Sequence, residues 1–443
     1  MDNSISNREI YRLAVPALIS GIAEPLLSLA DTAFVGHLPV LAKESLAAVG
    51  LTGAFLSMLI WILGQVRSAV STIVSQYLGA GRINDILPLP VQAAFSVAVL
   101  SLLLIAVTYP LAPFIFRLYN AGDILLELSV AYYRIRVFGL PFTLVTFVVF
   151  GTFRGLQNTF YPMLIALTGT VLNVVLDYFL IFGIEGVIPA FHIEGAAYAS
   201  VIAQFVMMTL AVLLLYRKTP VRLRLRFPFH REMKNLYRMV LHLFVRTLSL
   251  NVALYFGSAF AAKYGNTELA AYSIAIQIWF FYAFVIDGYS SAGNILAGKL
   301  YGGGQYKTLE KLGGKLLYYG IAAGVVLGGI SLLFYHSFGA LFIKDRQVLE
   351  VFESVFWIVA VMQPVNGVAF IYDGIFKGLG EMKYLRNVLL VATFAGFVPV
   401  LLWFDFHRAG VAGIWWAFFV WMLLRGGLLL VRFKKLVKRY NRS

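Results

Sequence analysis

The chain reads as an all-α integral membrane protein of twelve transmembrane helices in two pseudo-symmetric six-helix bundles, and three observations point there. Of its 443 residues 60% are hydrophobic and 13% charged, where a soluble chain carries about a quarter charged. Apolar runs of about 20 residues or more recur along the whole length, each long enough to cross roughly 30 Å of hydrocarbon as a helix. The two halves also align with each other at one constant offset, the mark of a duplicated unit. The sustained period-two alternation of a membrane barrel is missing.

In chain order the spans begin near residues 10, 46, 90, 132, 160, 194, 237, 270, 314, 350, 384 and 410, punctuated by Gly, Pro and charged stretches. The first runs from near Ile10 past Thr32 without a clear small-x-small cleavage site. It is longer than the apolar core of a secretion signal and reads as a retained span. With both termini cytoplasmic, the tails and even-numbered loops hold about 25 of the 36 Lys and Arg, outer loops about 8, and Arg67, Arg246 and Arg425 fall inside spans. Basic residues crowd 217–238 and 432–442. Anchoring to anionic lipid on the cytoplasmic face explains both clusters, with no nucleic acid as partner. The expected domains are a first lobe 1–216, a basic cytoplasmic linker 217–236, a second lobe 237–433 and a basic tail 434–443.

The repeat has an offset of 223 residues, which sets Leu46-Ala47-Ala48 on Leu269-Ala270-Ala271, Gly79 and Gly81 on Gly302 and Gly304, and Pro141 on Pro364. The same register sets Gly151, Phe153, Arg154, Gly155 and Leu156 on Gly374, Phe376, Lys377, Gly378 and Leu379. Pro, Gly and a basic residue coincide in one register far less readily by chance than Leu and Ala do. An even number of spans per copy gives both halves one orientation, about an axis along the membrane normal, with the expected path between them.

Carboxylates inside spans are the sharpest chemical signal, because an ionised acid in hydrocarbon costs several kcal/mol and needs a partner, a wet cavity or a role. The candidates are Glu24, Asp31, Asp177, Asp287 and Asp373. The repeat does not carry them: Asp177 falls opposite Val400, Asp287 opposite Gly64 and Asp373 opposite Phe150. Asp31, late in span one, and Asp177, in the outer half of span five, come to similar depth. Asn173 lies one turn before Asp177 on the same helix face, where it can hydrogen-bond the carboxylate or share a cation with it. Ser200, early in span six, offers a hydroxyl at that level. Glu24 precedes Asp31 by about two turns, on the same side of span one. Pro16 and Pro25 interrupt the hydrogen-bond ladder of that helix, by a bend in transport or by a static kink. In the second half Asp287 and Asp373 are either a second ion site or partners of Arg246 and Lys377. Trp279-Phe280-Phe281-Tyr282 offers stacking surfaces, yet consecutive aromatics point all round a helix and most must face lipid or core.

Several chemistries are excluded. No cysteine is present, so disulfides, thiolate metal sites and a cysteine nucleophile are absent. The six His form no close pair and no His-Glu-x-x-His helix occurs, so neither an enzyme nor a bound metal is expected. Gly302 to Thr308 mimics a phosphate loop, but Tyr306 stands where Gly must precede Lys.

At Leu29-Ala30-Asp31-Thr32-Ala33 with Gly36-His37-Leu38, at Asp287-Gly288-Tyr289 through Gly298 and Gly302, and at Asp373-Gly374 with Lys377-Gly378, the chain resembles the multidrug and toxic compound extrusion (MATE) family, in its DNA-damage-inducible F (DinF-like) branch. The resemblance covers nearly the whole chain. It implies two six-helix lobes in a V, and a secondary active antiporter that exports amphipathic, cationic small molecules in exchange for protons or sodium. It also implies that Asp31, Asp177, Asn173 and Ser200, with Pro16 as hinge, form the coupling site, where Asp31, Asn173 and Asp177 would ligate any sodium. A monomer in the cell inner (plasma) membrane without cofactors is the matching expectation. Two positions depart from the pattern: Glu24 stands where relatives carry an uncharged residue, and Asn294 where the branch often has Glu. A flippase of lipid-linked precursors from the same superfamily is the alternative, and it would be expected to have a strongly cationic cavity.

Overall fold

The computed structural model describes residues 5–38, 41–119, 122–184, 186–187 and 189–441, with the backbone alone for 23–29. The described chain is helical nearly throughout. The first half contains α1 (Asn7–Val35), α2 (Ala42–Leu63), α3 (Val66–Gly79), α4 (Leu89–Arg117), α5 (Asp123–Arg136), α6 (Gly139–Gly155), α7 (Phe160–Phe182) and α8 (His192–Lys218). The second contains α9 (Glu232–Tyr264), α10 (Asn266–Gly302), α11 (Tyr306–Leu333), α12 (Tyr335–Phe342), α13 (Arg346–Val361), α14 (Gln363–Gly378), α15 (Met382–Val391), α16 (Val398–Phe406) and α17 (Gly410–Tyr440).

Nine helical stretches among the described residues are long and apolar enough to cross a membrane, and two bent pairs, α5 with α6 and α13 with α14, raise that to eleven. The 29-residue α1, about 44 Å long at 1.5 Å per residue, completes the expected twelve. The short α12 is an addition that the apolar pattern did not separate from span nine.

The two bends have one cause. Each lies a few residues before a proline of the repeat, Pro141 in the first turn of α6 and Pro364 in the first turn of α14. A proline has no N–H for the carbonyl four residues back, so the helix stops and restarts at an angle. The angles are 45° at α5–α6 and 50° at α13–α14. At the first, the Leu140 N–H closes instead onto the Val137 carbonyl at 3.0 Å. Between α15 and α16 the chain widens into a π-helical segment, Ala392–Phe397, just ahead of Pro399, where the missing N–H again relaxes the ladder.

The chain divides into two compact units. The N-unit is Ile19–Val74 with Arg82–Tyr237, and the C-unit is Met1–Leu18, Ser75–Gly81 and Arg238–Ser443. The outline follows the repeat, except that the start of α1 and the end of α3 belong with the second half. In the C-unit the end of α3 crosses α10 at near backbone contact. A Cβ on Gly79 would fall 1.8 Å from the Lys299 carbonyl oxygen, and one on Gly302 1.9 Å from that of Gln76. Only glycine permits this approach, and it accounts for one of the repeated glycine pairs. The C-unit core is aromatic, with Trp279, Phe397, Trp415, Phe418 and Trp421 packed together. In the aromatic run of α10, Trp279 and Tyr282 are core residues while Phe281 is 52% exposed.

Candidate functional site

Three helices of the N-unit build a polar cluster. In α7 the buried residues Ile165, Gly169, Asn173, Asp177 and Ile181 repeat every four positions, so one continuous face is turned inward and carries both polar groups. The facing stretch of α8 is small, with Ala196, Ala197, Ala199, Ser200 and Ala203 all buried, which lets the two helices approach closely. One turn before its end, α1 adds Asp31.

Asp31 is 4% exposed, and Asn173, Asp177 and Ser200 are fully buried. The Ser200 hydroxyl donates to Asp31 Oδ2 at 3.1 Å. With its amide nitrogen turned to the carboxylate, Asn173 donates to Asp31 Oδ1 at 3.0 Å and accepts from the Ser200 N–H at 3.3 Å. Asp177 lies beside Asp31, near enough for the two carboxyl groups to interact, and its Oδ1 has no hydrogen-bond partner. Two carboxyl groups in contact need a proton between them, because two bare carboxylates at that range repel.

Asp31 also borders a cavity of about 360 Å³ within the N-unit. Two guanidiniums, Arg67 and Arg136, share its wall with Tyr132, Thr143 and Gln204, and Phe147 and Met207 supply apolar surface. Arg136 ends α5 at the bend, one turn after Tyr132. It passes close to the Gly139 backbone, where a Cβ would lie 3.5 Å from Arg136 Nη1 and 1.8 Å from Gln204 Oε1. Arg67, just past the α2–α3 break, lies over the Phe147 ring at 5.1 Å. Volume and mixed lining suit a drug-sized amphipath.

In the C-unit Asp373 is held by bases rather than by a second acid. Lys377 Nζ lies 2.8 Å from its Oδ2, Arg425 Nη2 3.1 Å from its Oδ1, and Arg246 Nη2 bonds the same Oδ1. Arg425 is further sandwiched by Phe370 and Trp421 at 5.1 and 5.7 Å. Of the two readings open for Asp373, the geometry shows pairing.

Among the expected site residues the structure brings together Asp31, Asn173, Asp177 and Ser200. It does not gather the rest with them. Asp287 is an exposed residue of α10, and Asn294 is buried with its backbone oxygen against Gly378. Pro16 lies within α1, which runs as one continuous helix through that position, in the stretch that clusters with the C-unit. Glu24 and Pro25 lie outside the described side chains.

Arg136 and Gln204 were not foreseen. The Lys and Arg pattern assigned Arg136 to an outer loop, because the charges at 134 and 136 interrupt the apolar run. The available signal was Pro141: a proline that bends the span lets the residues before it belong to a buried half-helix.

Comparison with known proteins follows the same line. The protein-family model described as MatE matches residues 16–179 and 243–402. The protein DETOXIFICATION 44, chloroplastic, of Arabidopsis thaliana is 29% identical over 435 residues, covering 94% of this chain and 80% of the relative. DNA damage-inducible protein F of Escherichia coli (strain K12) is 29% identical over 441 residues, covering 95% and 90%. Among solved structures, a MATE protein in the bent conformation superposes with a TM-score of 0.91 at 22% identity, covering 98% of this chain and 96% of that one. The MATE transporter VcmN of Vibrio cholerae, also in a bent form, gives 0.90 at 19% identity, covering 98% and 97%.

Proposed function

The chain belongs to the MatE family of multidrug and toxic compound transporters, and from that membership we propose that it is a secondary active antiporter that expels amphipathic, cationic small molecules in exchange for protons. As a member of the family it is a multi-pass membrane transporter and not an enzyme. The observation that carries the proposal is the buried cluster of Asp31, Asn173, Asp177 and Ser200, in which Asp31 borders the cavity.

A proton arriving from outside discharges the pair, and the positive end of a bound cargo loses its counter-charge. A deprotonated pair facing the cytoplasm attracts the next cargo. Proton and cargo thus compete for one charge. Because one proton is traded for one positive charge of cargo, the exchange moves no net charge, and each unit of pH difference, about 1.4 kcal/mol, sustains a cargo gradient of up to about tenfold. Sodium is the second ion that the site's chemistry admits, with Asp31, Asp177 and the Asn173 amide as oxygen ligands. The proposed setting is the plasma membrane, with both termini cytoplasmic and the protein monomeric.

Efflux of a fluorescent cation from proteoliposomes under an imposed pH or sodium gradient tests function and ion together. Uptake into inside-acid vesicles is expected with a pH gradient alone and lost in Asp31→Asn, while that variant still folds. Unchanged pH-driven transport by Asp31→Asn overturns the assignment. A flippase for lipid-linked precursors is the second reading, favoured by Arg67 and Arg136 in the wall. It is opposed by the adjoining acids, which repel a pyrophosphate.

A further inference from the structure

We propose that the connection between α8 and α9 is a phospholipid site, in which Arg222, Arg224 and Arg226 hold the phosphate of an anionic lipid while Phe227 and Phe229 seat one of its acyl chains. The site lies within the N-unit and shares no residue with the ion-coupling cluster. Diffuse attraction of basic residues to an anionic leaflet depends on charge alone, whereas these arginines are mounted on a fixed frame.

The frame starts at Gln92, a buried residue in the first turn of α4. Its amide nitrogen donates to the Arg226 carbonyl at 2.8 Å, and its amide oxygen accepts from the His230 N–H at 2.8 Å. A buried amide whose donor and acceptor are both spent on one loop holds that loop against the helix, because releasing it leaves both groups unsatisfied. One turn further along α4, the Ser96 hydroxyl meets that of Tyr237 at 2.7 Å. Phe95 makes an edge-to-face contact with Phe229 at 6.4 Å between ring centroids, and Phe229 stacks on Phe227 at 5.2 Å. A stretch without helix between Lys218 and Glu232 is thereby pinned along its middle.

Its depth follows from α4. Phe95, Val99, Leu102, Leu103 and Val107 are exposed at helical spacing, so they form the stripe of α4 that faces the acyl chains. Phe95 ends that stripe, and the stacked pair continues it outward, with Phe227 69% exposed. The Arg226 carbonyl is bonded one turn beyond Phe95, about 4.5 Å along the helix axis, where hydrocarbon gives way to headgroups. Arg222, Arg224 and Arg226 are exposed, and among the described residues none has a carboxylate within ion-pair distance. A guanidinium fork pairs with phosphate through two parallel hydrogen bonds. Leu223 and Leu225, exposed between the arginines, decide the kind of partner. A soluble polyanion leaves them and Phe227 in water, whereas a lipid covers the charged and the apolar side chains together.

Native mass spectrometry of the purified full chain, titrated with phosphatidylglycerol and phosphatidylcholine of the same acyl chains, tests the site. One phosphatidylglycerol is expected to be held about tenfold more tightly than phosphatidylcholine. Arg222→Gln, Arg224→Gln and Arg226→Gln together should cut that preference to about twofold or less. Lys434→Gln, Lys435→Gln and Lys438→Gln together remove the same charge from the tail and should leave it unchanged. Gln92→Met keeps every charge and nearly the same volume but frees the loop, and should also cut the preference to about twofold. Glycerophosphoglycerol, the same headgroup without chains, should not displace the lipid at equal concentration. No preference in the wild-type chain, equal losses from the loop and tail variants, or displacement by the soluble headgroup overturns the proposal. The wild-type comparison decides even where Gln92→Met fails to fold.

Discussion

Asp31 and Asp373 are both buried acids in membrane-crossing helices, yet their neighbours give them opposite tasks. Asp373 neutralises part of a cationic cluster, and removing its charge leaves Arg246, Arg425 and Lys377 facing one another without a counter-ion. Asp373→Asn is therefore expected to cost about 3–5 kcal/mol, visible as a marked drop in the thermal unfolding temperature in detergent. Asp31 is bonded to neutral groups, Ser200 and Asn173, with Asp177 beside it. An amide fits there, so Asp31→Asn should unfold within a few degrees of wild type while losing coupling. Equal destabilisation of the two variants would contradict this division. The acids were legible in the sequence because hydrocarbon rejects them. Arg136 was not, since its place depends on a bend that composition does not display.

At the scale of elements, proline and glycine decide where helices bend and how closely they cross. The α3–α10 crossing shows the glycine case. Gly302→Val puts a branched side chain into the Gln76 backbone and is expected to cost about 1–3 kcal/mol, as overpacking does. Gly314→Ala, on α11 with nothing within 4 Å of its Cβ, should be neutral or stabilising by about 0.5–1 kcal/mol, since alanine restricts the unfolded chain more than glycine does. Thermal unfolding of the pair checks both signs, and a stable Gly302→Val would mean that the crossing is looser than drawn. The spans themselves were readable from apolar runs. The breaks in spans four and ten and the π-helical stretch before Pro399 were not, because a bent helix and a straight one have the same hydropathy.

For the whole molecule, the distribution of Lys and Arg is the ground for the proposed orientation. The basic stretch at 217–238 is expected in the cytoplasm and the α5 start outside. The chain has no cysteine, so single cysteines report the side directly. Arg231→Cys should react with a membrane-impermeant maleimide only in inside-out vesicles, and Asp123→Cys only in right-side-out ones. The reverse pattern would invert the assigned topology and with it the direction of transport. Duplication places matched prolines in both halves, yet the acid pair exists in the N-unit alone, since Val400 and Gly396 stand at the positions that repeat Asp177 and Asn173.

By itself the sequence determined the solvent, the number of spans, the duplication and the acids that had to be accounted for. Each follows from the free energy of moving groups between water and hydrocarbon, which depends on residue type and run length alone. The tertiary structure decided which acids meet each other and which meet bases, and that two arginines share a wall with Asp31. Those outcomes depend on the rotation and bending of each helix. A turn of about 100° per residue carries a side chain from lipid to cavity without changing composition.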